Sequence, residues 1–305
     1  MMSDTVIATS GLTKDYGKGR GVFHIDLEIH KGEVFGFIGT NGSGKTTTIR
    51  NMMGFIRPDS GTSYVKGMNS WTQSADIMKS VSYVPGEIAF PALKTGTEFL
   101  KVQAKYLGVT DFRYMNHIIE LLQLDPSAPL KRMSKGMKQK TAIVAALMGE
   151  KEILVLDEPT TGLDPLMREA FLQLIREEKQ KGHTVFMSSH IFEEIEAVCD
   201  RVAMIKNGQI IDTVVLYDLR HPTVKHFIVE FARPEQKRQF IDHSEFSIED
   251  RADNSCAVLC KIENLDRLFH TLKEYQVTDL QETHPSLQQQ FMSAYKKELT
   301  QNGNN

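Results

Sequence analysis

Short β-branched runs alternate with amphipathic helical stretches over the first 215 residues, which predicts an α/β fold built on a mostly parallel sheet covered by helices. Two further observations point the same way. The apolar run GEVFGFIG (Gly32–Gly39) ends in glycine just before a helical pattern, and the buried runs ILVLDEP (Ile153–Pro159) and TVFMSSH (Thr184–His190) flank a helix from about Pro165 to Lys181.

Taken in order, Thr5–Thr9 and Ile25–Ile29 read as an antiparallel edge layer, and a helix is expected to start near Gly44. Residues 97–148 carry three helical patterns and little strand signal, so they read as a helical insertion. RVAMIKNGQIIDTV (Arg201–Val214) is a hairpin around Asn207-Gly208, a dipeptide that favours tight turns. Beyond His221 the texture becomes that of a small α+β appendage, with strand-like KHFIVEF (Lys225–Phe231) and CAVLCKI (Cys256–Ile262) beside helical Leu265–Tyr275 and Ser286–Lys297. The expected domains are therefore 1–220, with a helical subdomain at about 87–150, and 221–305 as an accessory or dimerisation domain.

A chain of 305 residues has room for two such domains, and 41% hydrophobic with 25% charged residues is the composition of an ordinary globular protein. The longest apolar runs, such as Ala142–Met148, fall far short of the ~20 residues a membrane helix needs. The N-terminus lacks a basic-then-apolar signal pattern, so the chain is expected in the cytosol. A net charge of -3 argues against nucleic acid as a partner. Residues 225–305 hold 10 Lys+Arg and 13 Asp+Glu, so the whole acidic excess lies in the C-terminal part. Cys199, Cys256 and Cys260 are too few for a disulfide framework and read as reduced, buried apolar residues.

The chemistry-bearing motifs begin with GTNGSGKT: Gly39, Thr40, Asn41, Gly42, Ser43, Gly44, Lys45 and Thr46 match the phosphate-binding loop, with Thr47 following. Glycines there let successive backbone N–H groups close around phosphates at a helix N-terminus. Lys45 is placed to reach the β- and γ-phosphates, and Thr46 to ligate Mg²⁺. In ILVLDE, a buried strand delivers Asp157 to the Mg²⁺ shell and Glu158 to orient or deprotonate an attacking water.

With these motifs in this order, the sequence resembles the ATP-binding subunit of ATP-binding cassette (ABC) transporters over about residues 5–220. That resemblance implies a P-loop NTPase cassette with an antiparallel β layer and a helical subdomain. MSKGMKQK (Met133–Lys140) is similar to the family's LSGGQ signature, implying that Ser134, Lys135, Gly136 and Met137 contact ATP held by an opposite subunit. Lys135 and Met137 replace the first glycine and the glutamine of that motif. TGLDP resembles the D-loop and puts Asp164 at the dimer seam; His190 matches the switch histidine and Tyr16 the aromatic that stacks on adenine. Alone, a histidine at a strand end or a tyrosine beside glycine is usually structural; the ordered set is what gives them roles.

One departure bears on coupling. Where the family has a glutamine, SYVPGE places Gly86, with Glu87 beside it. Glu87 is either a substitute for the glutamine or a solvated loop acid, and the φ freedom of Gly86 is expected to turn the loop so that Glu87 approaches the metal. The resemblance implies ATP hydrolysis with Mg²⁺, a separate integral membrane permease, a second ATP-binding subunit in a homodimer or heterodimer, and a peripheral position on the inner face of the membrane. The texture is nearest to bacterial ABC-2 type exporters. The alternative is a soluble ABC ATPase acting in translation or DNA maintenance, disfavoured by the single cassette and by the short interval from Lys45 to Ser134.

Overall fold

The computed structural model describes residues 4–283 and 286–292. The chain divides into two compact units, one running to Val215 and the other beginning at Leu216.

In the first unit the elements run β1 (Thr5–Asp15), β2 (Gly21–His30), β3 (Val34–Ile38), α1 (Lys45–Met52), β4 (Ser60–Val65), β5 (Met68–Asn69), α2 (Ser74–Ser80) and β6 (Val81–Val84). The helical stretch follows as α3 (Gly96–Leu107), α4 (Arg113–Leu121) and α5 (Lys135–Leu147). Then come β7 (Ile153–Asp157), α6 (Pro165–Gln180), β8 (Thr184–Ser189), α7 (Phe192–Val198), β9 (Arg201–Lys206) and β10 (Gln209–Val215). The edge strands are longer than the sequence suggested, because β1 and β2 continue past two register irregularities beyond Thr9 to the turn at residues 16–20.

Two sheets form this unit. β2-β1-β4-β5 is antiparallel, and β10-β9-β3-β8-β7-β6 is parallel except for the antiparallel β10 edge. β3, β7 and β8 are buried along their whole length, as expected of strands with elements on both faces. Phe35 and Phe37 from β3 meet Phe186 from β8 at ring-centroid distances of 5.9 and 5.5 Å. Ile7, Ile25 and Ile29 of the antiparallel sheet join the same core, with Ile49 and Met52 of α1. α1 is thus embedded in apolar side chains, which fixes where its N-terminus points.

A polar knot ties the helical stretch to α6. The Tyr114 hydroxyl donates to Glu178, which is fully buried and also receives the Lys181 ammonium at 2.9 Å and meets His183 Nδ1 at 2.7 Å. Burial, then the Glu178 contact, pushes the Tyr114 phenol well above its usual range.

The second unit opens with α8 (Leu216–Arg220) and continues β11 (Val224–Phe231), α9 (Pro234–His243), β12 (Ser247–Asp250), β13 (Ser255–Lys261), α10 (Leu265–Leu272) and β14 (Val277–Thr283). All pairs are antiparallel in the order β12-β13-β11-β14. From β11 on this is the ferredoxin-like β-α-β-β-α-β arrangement, more regular than the appendage read from sequence. It has its own core of Phe227, Phe231, Phe240, Val258 and Leu268, and both Cys256 and Cys260 are buried in it as free thiols. The expected helix Ser286–Lys297 lies partly outside the described residues; 287–292 are helical.

Phe240 is fully buried, its ring 5.3 Å from Phe231 and 5.4 Å from Tyr275. Phe240→Ala is expected to remove about 3–5 kcal/mol of this unit's stability. Urea denaturation should show an early transition while the transition of the first unit keeps its wild-type midpoint; a single transition at the wild-type midpoint would contradict separate cores.

Candidate active site

A cavity of about 670 Å³ opens at the carboxyl ends of the parallel strands, within the ~300–1,000 Å³ common for small-molecule sites and where open α/β sheets bind ligands. Of the residues singled out from sequence, Tyr16, Asn41, Gly42, Gly44, Lys45, Thr46, Thr47, Gly86, Glu87, Lys135, Asp157, Glu158 and His190 all line it. Ser43 is turned inward instead: its side chain is buried and its hydroxyl has no partner.

The loop between β3 and α1 has the geometry of a phosphate cradle. Gly44 sits at the helix N-cap with φ 113°, a conformation open to glycine and strained for other residues, and a Cβ there would come 2.6 Å from Val22 Cγ1. The first N–H groups of α1 lack intrahelical acceptors and carry the positive end of the helix dipole. Lys45 is buried, and its ammonium donates to the carbonyls of Gly39 at 2.7 Å and Thr40 at 3.2 Å while standing 3.1 Å from Glu158 Oε1.

Two acidic residues stand at the end of β7. Asp157 is fully buried; the Ser188 hydroxyl donates to its Oδ1 at 2.7 Å, and its Oδ2 has no hydrogen-bond partner. A buried oxygen without a donor is the kind of atom a cation completes. Glu158 has φ 47°, a left-handed backbone that costs a non-glycine residue energy. Its N–H donates to Ser188 Oγ at 3.0 Å, and its Oε2 lies 3.1 Å from His190 Nδ1 and accepts from Thr161 Oγ1 at 3.3 Å. Burial pushes the Glu158 carboxyl up, but the hydrogen bond and charge of Lys45, aided by His190, outweigh it and hold the group below its usual range.

The signature-like segment is anchored by helix capping. Ser134 Oγ accepts from the Met137 N–H at 3.2 Å as the N-cap of α5, and Asp164 Oδ1 accepts from the Met167 N–H at 3.0 Å as the N-cap of α6. A Cβ on Gly136 would stand 2.8 Å from the Gly162 carbonyl oxygen, so only glycine lets the first turn of α5 touch the loop at 162. The Lys135 stem covers Gly162, and its side chain borders the cavity of its own chain.

Gly86 corrects one expectation. Its φ is not in the left-handed region, so the loop does not use a conformation reserved for glycine. Instead Gly86 lies against Asp157: a Cβ would come 3.3 Å from Oδ2. Glu87 is exposed on the cavity wall.

Sequence reasoning missed Arg20, Arg50 and Asn207, which also line the cavity, and named Thr161 there only as the first residue of TGLDP. Asn207 was visible only as a turn residue. The turn it shares is joined to the phosphate loop, because the Gly208 N–H donates to the Ser43 carbonyl at 2.9 Å and the Phe23 N–H donates to the Gly208 carbonyl at 2.7 Å.

The family profile described as ABC transporter matches residues 22–161. The chain is 34% identical to a bacitracin transport ATP-binding protein of Bacillus licheniformis over 78% of each chain. It is 32% identical to a Nod factor export ATP-binding protein of Ralstonia nicotianae over 68% of this chain and 66% of that one. A solved ATP-binding subunit of an ABC transporter superposes with a TM-score of 0.63 at 29% identity, covering 71% of this chain and 92% of the other.

Gly44→Ala is expected to cost about 1–3 kcal/mol through the forced φ alone, with further loss from the Val22 contact. An unchanged urea midpoint would show that the loop relaxes without penalty.

Proposed function

We propose, from the premise that this chain belongs to the ABC transporter family, that it is the ATP-binding and ATP-hydrolysing subunit that powers an exporter. The observation that carries this reading is the convergence of Lys45, Asp157, Glu158 and His190 on one cavity at the ends of three adjacent parallel strands. The relatives named for transport and export weigh against a role in translation or DNA maintenance.

In this reading the N–H groups of the 39–46 loop receive the phosphates, and Lys45 exchanges its carbonyl and Glu158 partners for phosphate oxygens. Tyr16, half exposed at the rim, offers a face to adenine. Thr46 and Asp157 are the residues to hold Mg²⁺, which would neutralise developing charge on the β- and γ-phosphates. The unpartnered Asp157 Oδ2 fits that role. Among the described residues no cluster of three or more His, Cys, Asp or Glu side chains forms a self-contained metal cage, in keeping with an ion that takes most of its oxygens from substrate and water.

Glu158 accepts the proton of the attacking water. With Lys45 on the nucleotide, the effect of burial on Glu158 persists while the opposing ammonium is withdrawn, so the carboxylate becomes a stronger base where the proton is released. His190 orients it from 3.1 Å.

No helix among the described residues is long and apolar enough to cross a membrane. We place the chain on the cytoplasmic face of the membrane beside a separate permease, paired with a second ATP-binding subunit, identical or different. Ser134 to Met137 would then meet the nucleotide of that subunit, Asp164 would lie at the seam, and Gly86-Glu87 would relay to the permease. The unit beginning at Leu216 would serve dimer contact or regulation.

Glu158→Gln should lower hydrolysis by at least about 100-fold while ATP still binds, and Lys45→Ala should instead weaken nucleotide binding. Wild-type turnover in the glutamine variant would remove Glu158 as the base. In light scattering, Mg-ATP should raise the dimer fraction of Glu158→Gln; a constant monomer mass at micromolar protein would speak against a homodimer. Glu87→Ala should reduce ATPase activity or its coupling to the permease, and equal rates would leave Glu87 a solvated acid.

A further inference from the structure

Glu194 is an acidic residue with no place in the phosphate loop, the metal shell or the base. It lies in α7, is 4% exposed, and accepts two hydroxyl hydrogen bonds on one oxygen: Thr160 Oγ1 donates to Oε2 at 2.8 Å and Ser189 Oγ donates to it at 3.0 Å. Thr160 and Ser189 are themselves buried. The other oxygen, Oε1, is buried without a hydrogen-bond partner. Burying a carboxyl this incompletely satisfied is costly, and three polar groups here stand where apolar ones would pack without that cost.

The positions joined explain the arrangement. Thr160 stands two residues after Glu158, and Ser189 immediately precedes His190. Ser189 is also held from its other side, since its Oγ accepts from the Ile191 N–H at 3.0 Å and its carbonyl accepts from the Gly39 N–H at 3.4 Å. A second bridge runs parallel to this one, from Ser188 to Asp157 and the Glu158 N–H. Between the two bridges lies the 3.1 Å contact of Glu158 with His190. Ser188 secures the start of the β7 loop, and Glu194 secures its continuation, so the left-handed backbone of Glu158 is fixed on both sides. Strained residues persist only when their surroundings over-determine them.

We propose that Glu194 is a positioning residue for hydrolysis, one that sets the spacing of Glu158 and His190 by gripping Thr160 and Ser189 together. The proposal rests on the ATPase reading above and adds to it a residue that touches neither nucleotide nor metal. Burial raises the Glu194 carboxyl, with the Thr160 and Ser189 hydroxyls pulling the other way; the grip needs only an acceptor oxygen, which either protonation state supplies.

The test is steady-state hydrolysis of Mg-ATP by the full chain, with ATP-binding stoichiometry measured in parallel. Glu194→Ala should lower kcat by about tenfold or more with KM within about threefold, the pattern of an interaction that matters in the transition state rather than in binding. Glu194→Gln, which keeps an acceptor oxygen, should recover most of that loss. Glu193→Ala, an exposed neighbour, should match wild type. Thr160→Val carries the test if the alanine variant does not fold: it should also lower kcat at constant KM, and adding it to Glu194→Gln should deepen the loss. A Glu194→Ala or Thr160→Val protein with the wild-type kcat, or a loss fully matched by fewer nucleotide-binding chains, would overturn the proposal. Wild-type turnover reports the ATPase reading separately; the ratio of variant to wild type reports Glu194.

Discussion

The parallel pairing of β3, β8 and β7 is the constraint on which the site depends. Their register sets Ile38 opposite Ser189 and Asp157 opposite Ser188, so three segments far apart in sequence end side by side. Because side chains alternate along a strand, a one-residue slip would send Asp157 to the opposite face. The stacked Phe35 and Phe186 rings, with Phe37 beside them, lock that register from within the apolar layer.

Against this regular frame, the local exceptions cluster where the strands end. Glu158 holds a left-handed backbone, Asp157 is fully buried with one oxygen unpartnered, and Glu194 repeats that pattern one layer further out. Each would weaken an ordinary core, and together they are held by two neighbouring hydrogen-bonded bridges, one through Ser188 and one through Ser189 and Thr160. Departures from local rules that concentrate in this way mark a place where stability has been exchanged for chemistry.

The fold of the first unit was legible because its signals are strong and short-range: apolar runs ending in Gly39 or in Asp157 and Glu158, and an Asn207-Gly208 turn. The side chains that line the cavity after β3, β7 and β8 were legible for the same reason, since they follow strands at fixed offsets. β4 and α2 were not, as Ser60–Val65 and Ser74–Ser80 carry few buried positions. In the second unit α9 and the edge strands β12 and β14 escaped notice because their apolar faces are thin. Arg20 and Glu194, and the place of Asn207 at the cavity, could not be read from sequence, because only tertiary folding brings them to their neighbours. Gly86 was read for its flexibility, whereas its small size beside Asp157 is what the structure uses.

The touching glycines at 136 and 162 have a mechanical consequence. A Cβ at 136 would stand 2.8 Å from the Gly162 oxygen, and the Lys135 stem lies over Gly162, so the first turn of α5 and the loop leading to Asp164 pack without room for a side chain between them. Close-packed contacts of this kind transmit displacement instead of absorbing it. α5 belongs to the helical stretch, and the loop at 162 continues from Glu158 into α6. A side chain at 136 would therefore force the helical stretch away from the backbone that follows Glu158, so a residue with no side chain of its own sets how closely the two can sit.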